Sequence, residues 1–233
     1  MFGKLLLFNK LIRQHKTFSP ETRDSWKYFS AWKKTLVKGK SSLDYGLPWF
    51  TFQAIEYSGN FLKPGMKVFE YGGGSSTQFF MNKKCEVFTA EHHKGWFLDL
   101  QKSFKDGPEW HGFLLEAVPG ALGDDPANPL HYFSKDEEYK QMNFKAYASK
   151  IDEYPDASFD LVLVDGRARP SCIYHSVSKI KKGGLLIVDN TEREYYNEYF
   201  SRNFSSQFEL VLDTFGPVPY TLWFHKTTIW KKK

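Results

Sequence analysis

Residues 67–77 read KVFEYGGGSST, and the fold turns on them. Val68, Phe69 and Tyr71 are β-branched or aromatic, the types that suit a pleated, covered strand. An acid, Glu70, sits near the strand end, and Gly72, Gly73 and Gly74 follow. Glycine lets a chain reverse sharply and lets its backbone approach a ligand closely. Ser75, Ser76 and Thr77 then supply side-chain oxygens of the kind that start a helix. The stretch is a strand, a tight turn and a helix start whose free N–H groups face a ligand.

Outward from this turn, short apolar runs alternate with helical segments, the pattern of a sheet built from βα units. The expected strands are 67–71, EVFTA at 86–90, GFLLE at 112–116, DLVLV at 160–164 and LLIVD at 185–189. The last two are almost wholly apolar, as in a parallel sheet covered on both faces. FELVLDTF at 208–215 and YTLWFHKTTIW at 220–230 are joined by Gly216-Pro217-Val218-Pro219, too short a link for a parallel crossover, so this pair is expected antiparallel. The fold class is therefore α/β, a seven-stranded, mostly parallel sheet with helices on both faces. Residues 118–143, containing GDDPANP, carry no strand pattern and read as an insertion over the strand ends. Upstream, Ser19-Pro20-Glu21 has the N-cap, proline and first-turn acid of a helix running to about Val37. The division expected is an aromatic, basic helical extension at 1–46 and one domain at 47–233.

The loop does not complete the dinucleotide fingerprint G-x-G-x-x-G, because Thr77 stands at the third glycine. It has no lysine for phosphates, which excludes a P-loop. Glu91 closes the second strand, where a carboxylate can accept hydrogen bonds from both hydroxyls of a ribose. Acid, glycine loop, ribose acid and antiparallel ending together resemble the class I S-adenosylmethionine-dependent methyltransferases, from about Leu47 to Trp230. The resemblance implies a Rossmann-like fold and S-adenosylmethionine as cofactor. It also implies that Glu70 holds the cofactor's amino acid end, that Gly72, Gly74 and Ser75 pass under it, that Glu91 binds its ribose, and that Glu116 meets its adenine.

A second constellation lies in FDLVLVDGRARP at 159–170 and GGLLIVDN at 183–190. Adjacent parallel strands bring Asp165 and the pair Asp189-Asn190 to the same carboxyl ends, where open α/β sheets bind ligands. Two carboxylates and an amide oxygen suit Mg²⁺ or another hard divalent cation rather than zinc. The set is similar to the Asp, Asp-Asn triad of metal-dependent O-methyltransferases. It departs from the catechol-type pattern in having Arg167 and Arg169 where that group has a lysine, and arginine cannot serve as a base. The competing account makes Asp165 a positioning or catalytic group and Asp189 and Asn190 a helix cap. His175 and the tyrosines Tyr195, Tyr196 and Tyr199 are further candidates as bases or substrate contacts. Arg167 and Arg169 are candidates to clamp an anionic substrate. His92 and His93 have no accompanying zinc pattern.

The bulk properties restrict the partners. Residues 1–40 hold ten Lys or Arg against Glu21 and Asp24, a local charge of 10 − 2 = +8 in a chain of net charge +5. Such an arm, carrying Trp26, Tyr28 and Trp32, suits either a docked amphipathic face or contact with anionic lipid or nucleic acid. Cys85 and Cys172 are too few for a disulfide framework and fit a reducing compartment. Cytoplasm is expected, with a peripheral membrane contact at the N-terminus left open. The leading expectation is O-methylation of a small-molecule or glycan hydroxyl, and no pattern fixes an oligomeric state. Nucleic acid is the less favoured acceptor, since neither an Asp/Asn-Pro-Pro-aromatic motif nor a Lys-Asp-Lys-Glu set is identifiable. RNA methylation using the basic arm and a catalytically silent binding module are the alternatives.

Overall fold

The computed structural model describes residues 2–15, 20–37, 39, 41–104, 107 and 109–233. Ser19, the expected helix cap, lies outside them. Two helices begin the chain, α1 (Phe2–His15) and α2 (Phe29–Thr35), with a 3₁₀ segment at Pro20–Tyr28 between them. A continuous helix was expected from about residue 19 to 37. The first half winds instead in the tighter i→i+3 form, and it ends where Tyr28 and Lys27 both bond Glu56, Lys27 at 2.9 Å. These contacts fix the segment from outside itself.

After α3 (Phe52–Phe61) come β1 (Lys67–Tyr71), α4 (Ser75–Asn82), β2 (Glu86–Glu91), α5 (Lys94–Phe104) and β3 (Trp110–Leu114). Then follow α6 (Lys145–Ser149), β4 (Phe159–Val164), α7 (Arg169–Ser176), β5 (Ile180–Asp189), α8 (Glu198–Asn203), β6 (Phe208–Pro217) and β7 (Phe224–Lys232). The seven strands form one sheet in the order β3-β2-β1-β4-β5-β7-β6. Strands β1 to β5 are parallel; β7 lies antiparallel between β5 and β6. This is the Rossmann-like fold of class I methyltransferases. The strand order reverses between β1 and β4, which opens a crevice at their carboxyl ends.

Alternation along the strands builds two cores. Phe69 and Tyr71 of β1 join Val162 and Val164 of β4 and Leu186 and Val188 of β5 on one face. Val68 joins Leu161, Leu163, Leu185 and Ile187 on the other. Each such side chain contributes roughly 1.5–3 kcal/mol when fully buried. The second core also takes Phe8, Leu11, Ile12 and Trp32 from the first two helices. Trp32 is fully buried and donates its indole N–H to the Thr221 carbonyl at 2.8 Å, and Phe8 packs edge-on to Phe224 of β7. The basic side chains Lys10 and Arg13 stay exposed. The N-terminal elements are thus docked on the sheet, and no helix among the described residues is long and apolar enough to cross a membrane.

The segment expected as a strandless insertion has a two-residue ladder at its ends, Val118–Pro119 against Met142–Asn143. The ladder closes residues 118–143 into a loop, which carries 3₁₀ turns at Pro129–His131 and Glu137–Tyr139.

Candidate active site

A cavity of about 700 Å³ opens at the carboxyl ends of β1, β2, β4 and β5, and the residues expected to carry function divide sharply in how they meet it. Gly72, Gly73, Gly74, Ser75 and Glu91 line it, as do Asp165, Asp189 and Asn190. Two of the glycines have a steric reason to be there. Gly72 has φ +89°, and a Cβ on it would lie 3.2 Å from the backbone of Asp165 and Gly166; one on Gly73 would lie 2.6 Å from Thr89 and 2.7 Å from Leu100. The loop is therefore packed between the end of β4 on one side and β2 and α5 on the other.

Glu70 does not face the cavity. Its carboxylate is fully buried beneath the loop and accepts hydrogen bonds from Ser76 (2.7 Å), Thr89 (2.8 Å) and Thr77. Burial pushes its pKa up to about 7 against the opposing effect of those hydroxyls. Thr77, which replaces the fingerprint's last glycine, also accepts the Gly74 N–H at 3.0 Å. The acid expected to hold the cofactor instead holds the loop, because alternation turns residue 70 to the face covered by α4.

Glu91 sits at the loop's far side. Its Oε1 accepts from the backbone N–H of His92 and of His93, both at 2.7 Å, and its Oε2 from the Gly73 N–H at 3.2 Å. Burial works to raise its pKa, but the adjacent His92 ring and the backbone N–H donors of His93 and Gly73 outweigh it and hold it below the ordinary value. His92 Nδ1 lies 3.0 Å from Oε1, off the line a hydrogen bond needs. A carboxylate has about four lone-pair sites, so Oε2 keeps capacity for a ribose hydroxyl. Trp96 of α5 donates to the Gly73 carbonyl at 2.7 Å and walls the same end. Loop, acid and volume fit a nucleoside cofactor of the S-adenosylmethionine kind. Glu116 lies elsewhere: β3 starts at Trp110 rather than Gly112, so Glu116 falls beyond the sheet, exposed and outside the cavity lining.

At the other end, Arg169 governs the geometry. Ala168 takes a left-handed conformation (φ 45°) before Arg169 and Pro170 open α7, and this folds the Arg169 side chain back under the strand ends. The guanidinium, 6% exposed, donates to the Asp165 carboxylate at 3.1 Å and to the carbonyls of Asp165, Gly166 and Asp189. It is a structural cross-link between β4 and β5 rather than a free substrate clamp. Arg167 lines the cavity, with its Nε 3.0 Å from the Asp136 carboxylate of the 118–143 loop. Burial, then the proximity of Asp189, pushes the Asp165 carboxyl up to about 7 against the pull of Arg169. Burial does the same to Asp189, also to about 7.

Each expected metal ligand has one side-chain atom bonded to the protein. Asp165 Oδ1 holds Arg169; Asp189 Oδ1 accepts the Thr227 hydroxyl at 2.6 Å; the Asn190 amide meets His225 Nδ1 at 2.9 Å. Among the described residues no group of three or more His, Cys, Asp or Glu side chains is placed to hold a metal ion. A permanently charged guanidinium bonded to the Asp165 carboxylate and to the backbone of both strand ends opposes a second cation there, so these residues do not fit a divalent ion.

His175 is turned away from the cavity; its Nδ1 lies 2.7 Å from Asp152, and its ring packs against Tyr132. Tyr196 is buried, accepting from Arg193 at 2.7 Å and lying under Arg169. Tyr195 and Tyr199 are outside the lining as well. Sequence reasoning missed His225, Trp49, Trp223 and Arg193, which also line the cavity. His225 had one usable signal: pairing of Asp189 with Thr227 puts it two residues beyond, level with the crevice. Its Nε2 lies 3.3 Å from Asp189 without an aligned hydrogen bond.

Comparison with known proteins gives structural likeness only. No family model matches the chain, and no curated protein matches its sequence. TrmN from Thermus thermophilus superposes with a TM-score of 0.51 at 12% identity over 78% of this chain. The chain spans about half of that protein, 48% of its length. Fibrillarin from Aeropyrum pernix, solved with natively bound S-adenosyl-L-methionine, gives 0.50 at 12% identity, covering 84% of this chain and 86% of its own. A candidate rRNA methylase from Clostridium thermocellum gives 0.52 at 13% identity, covering 84% and 100%. At these identities the likeness establishes the fold.

Proposed function

We propose that this chain transfers a methyl group from S-adenosylmethionine to an acceptor seated between β4, β5 and the start of β7. The observation that carries the reading is one cavity holding both the Gly72–Gly74 loop with Glu91 and, at its other end, Asp165 beside Asn190 and His225. When bound there, the cofactor supplies a methyl carbon on a sulfonium. The chain's own residues supply position, which accounts for most of such a displacement. The loop backbone carries the amino acid end, Glu91 fixes the ribose, and Trp96 closes the nucleoside side. Asp165, its Oδ1 anchored by Arg169 at 3.1 Å, is placed to take the proton that the acceptor releases.

For the acceptor, an RNA nucleotide is the reading with more support. The Clostridium thermocellum protein is described as acting on rRNA. The cavity mouth here carries Trp49 and Trp223, 46% and 59% exposed, together with Arg193. Exposed rings beside a guanidinium suit an unpaired base and its phosphate. The absence of the usual base-methylating motif after β4 points within RNA to a hydroxyl or an uncommon base position. A small-molecule or glycan hydroxyl is the alternative, since the same rim would also accept a planar or anionic metabolite. Calorimetry with S-adenosylmethionine tests the donor: no binding would leave only a silent methyltransferase-fold module. Label transfer from the methyl-labelled cofactor, offered total RNA and a panel of hydroxylated metabolites and glycans, tests the acceptor. Incorporation into the panel and not into RNA would overturn the RNA reading.

A further inference from the structure

The letters Asp165, Asp189 and Asn190 match a metal triad, yet the geometry gives them a cation of their own. We propose that the Arg169 guanidinium stands in for the divalent ion, making the site metal-independent and fixing the acceptor-side acids without a dissociable cofactor; this rests on the methyl-transfer reading.

Three features carry the argument. First, Arg169 is buried and bonds four oxygens drawn from both strand ends: the carbonyls of Asp165, Gly166 and Asp189 and the Asp165 carboxylate. A divalent ion would need oxygens from those same strand ends, and two cations cannot share them without strong repulsion. Second, Asp189 Oδ1 accepts the Thr227 hydroxyl, and the Asn190 side chain is held by donating its amide N–H to His225 Nδ1. Third, the arrangement is encoded locally. The left-handed Ala168 and the helix start at Arg169-Pro170 aim the side chain inward, whereas Arg167, two residues earlier, runs out to Asp136. A guanidinium offers a fixed planar fork of donors and never loses its charge. It can neutralise and orient the acids, but it leaves no open coordination position to activate an acceptor oxygen. The proton must therefore leave through a side chain of the site rather than through a metal-bound oxygen. Arg169 is a positioning residue in this scheme.

Manganese binding tests this without any turnover. Mn²⁺ is titrated into the full chain, free ion being followed by its electron paramagnetic resonance signal, for wild type, R169M and R169M/D165N. Wild type should give no saturable binding, R169M should gain a site, and adding D165N should abolish it. Circular dichroism reports whether R169M folds; R169Q replaces it if not, and the wild-type titration stands without either. Saturable Mn²⁺ binding by wild type that D165N or D189N removes would overturn the proposal, as would a folded R169M or R169Q that binds none. Because no cofactor or acceptor is present, a failure here is separable from a failure of the methyl-transfer reading, which S-adenosylmethionine calorimetry tests alone.

Discussion

Replacing Glu70 by glutamine should make the protein less sensitive to rising pH. The carboxyl is fully buried beneath the glycine loop, and two forces contend over its proton. Burial disfavours the ion, whereas hydroxyls of Thr77, Ser76 and Thr89 donate to it and favour the ion. Burial wins, moving the pKa from 4.5 in the unfolded range to about 7. A folded pKa above the unfolded one means that the folded state holds the proton more tightly. The resulting stability is fully present below pH 4.5 and is lost as pH rises through about 7. At roughly 1.4 kcal/mol per tenfold change, the loss comes to about 3 kcal/mol. Glutamine keeps the shape and cannot ionise, and the hydroxyls can rotate to accept from its amide. Urea unfolding of wild type and E70Q at a series of pH values measures the effect. The stability of E70Q relative to wild type should climb by about 3 kcal/mol between pH 4.5 and pH 8. A difference that is flat with pH, or one that falls, would mean that the three hydroxyls hold an ion and that the argument from burial is wrong.

Other consequences follow from single contacts. Glu91→Gln removes the charge that would receive the ribose, and a charged hydrogen bond contributes about 1.5–3 kcal/mol, so calorimetric affinity for S-adenosylmethionine should fall roughly 10- to 100-fold; unchanged affinity would take Glu91 out of the cofactor site. A Cβ on Gly166 would lie 1.9 Å from the Tyr147 hydroxyl, so G166A should cost about 1–3 kcal/mol as an overpacking change. Tyr147→Phe should recover part of that in the double variant, and strict additivity in thermal unfolding would refute the contact. Trp32→Ala should cost about 3–5 kcal/mol because it empties the second core and strands the Thr221 carbonyl. A change near zero in denaturant unfolding would show the N-terminal helices to be dispensable packing.

What the sequence made legible was periodic or local. Apolar strands, the glycine turn, Glu91 and the short link before the last strand each announce themselves within a few residues, and the sheet order follows. Direction and distance were not legible. Glu70 reads as a cofactor ligand in any linear motif, yet one step of strand alternation sends it under α4. Glu116 appeared to end a strand that in fact begins two residues earlier, at Trp110, so its expected place in the site dissolved with the boundary. His225 has no motif at all. It arrives by the antiparallel register of β5 and β7, which pairs Asp189 with Thr227, 38 residues apart. Trp49 and Trp223 come from loops whose letters carry no period.

The pair Arg167 and Arg169 shows most directly how identical letters acquire different work. In sequence they are equivalent: two arginines flanking an alanine after an aspartate, both available to clamp an anion. The backbone separates them. Arg167 lies in the loop before the turn and projects across the crevice to Asp136, so it ties the 118–143 loop to the cavity rim. Ala168 then adopts positive φ, which an alanine tolerates only where surrounding contacts enforce it. Those contacts are the bonds that Arg169 makes to three carbonyls and the Asp165 carboxylate. Strain at residue 168 and satisfaction at residue 169 are thus two sides of one arrangement. The same arrangement converts an acid set that reads as a metal site into one held by a side chain. Two buried acids on neighbouring strands are eased by a cation beside them, and this chain places one four residues after the first acid, at the start of the helix that the strand leads into.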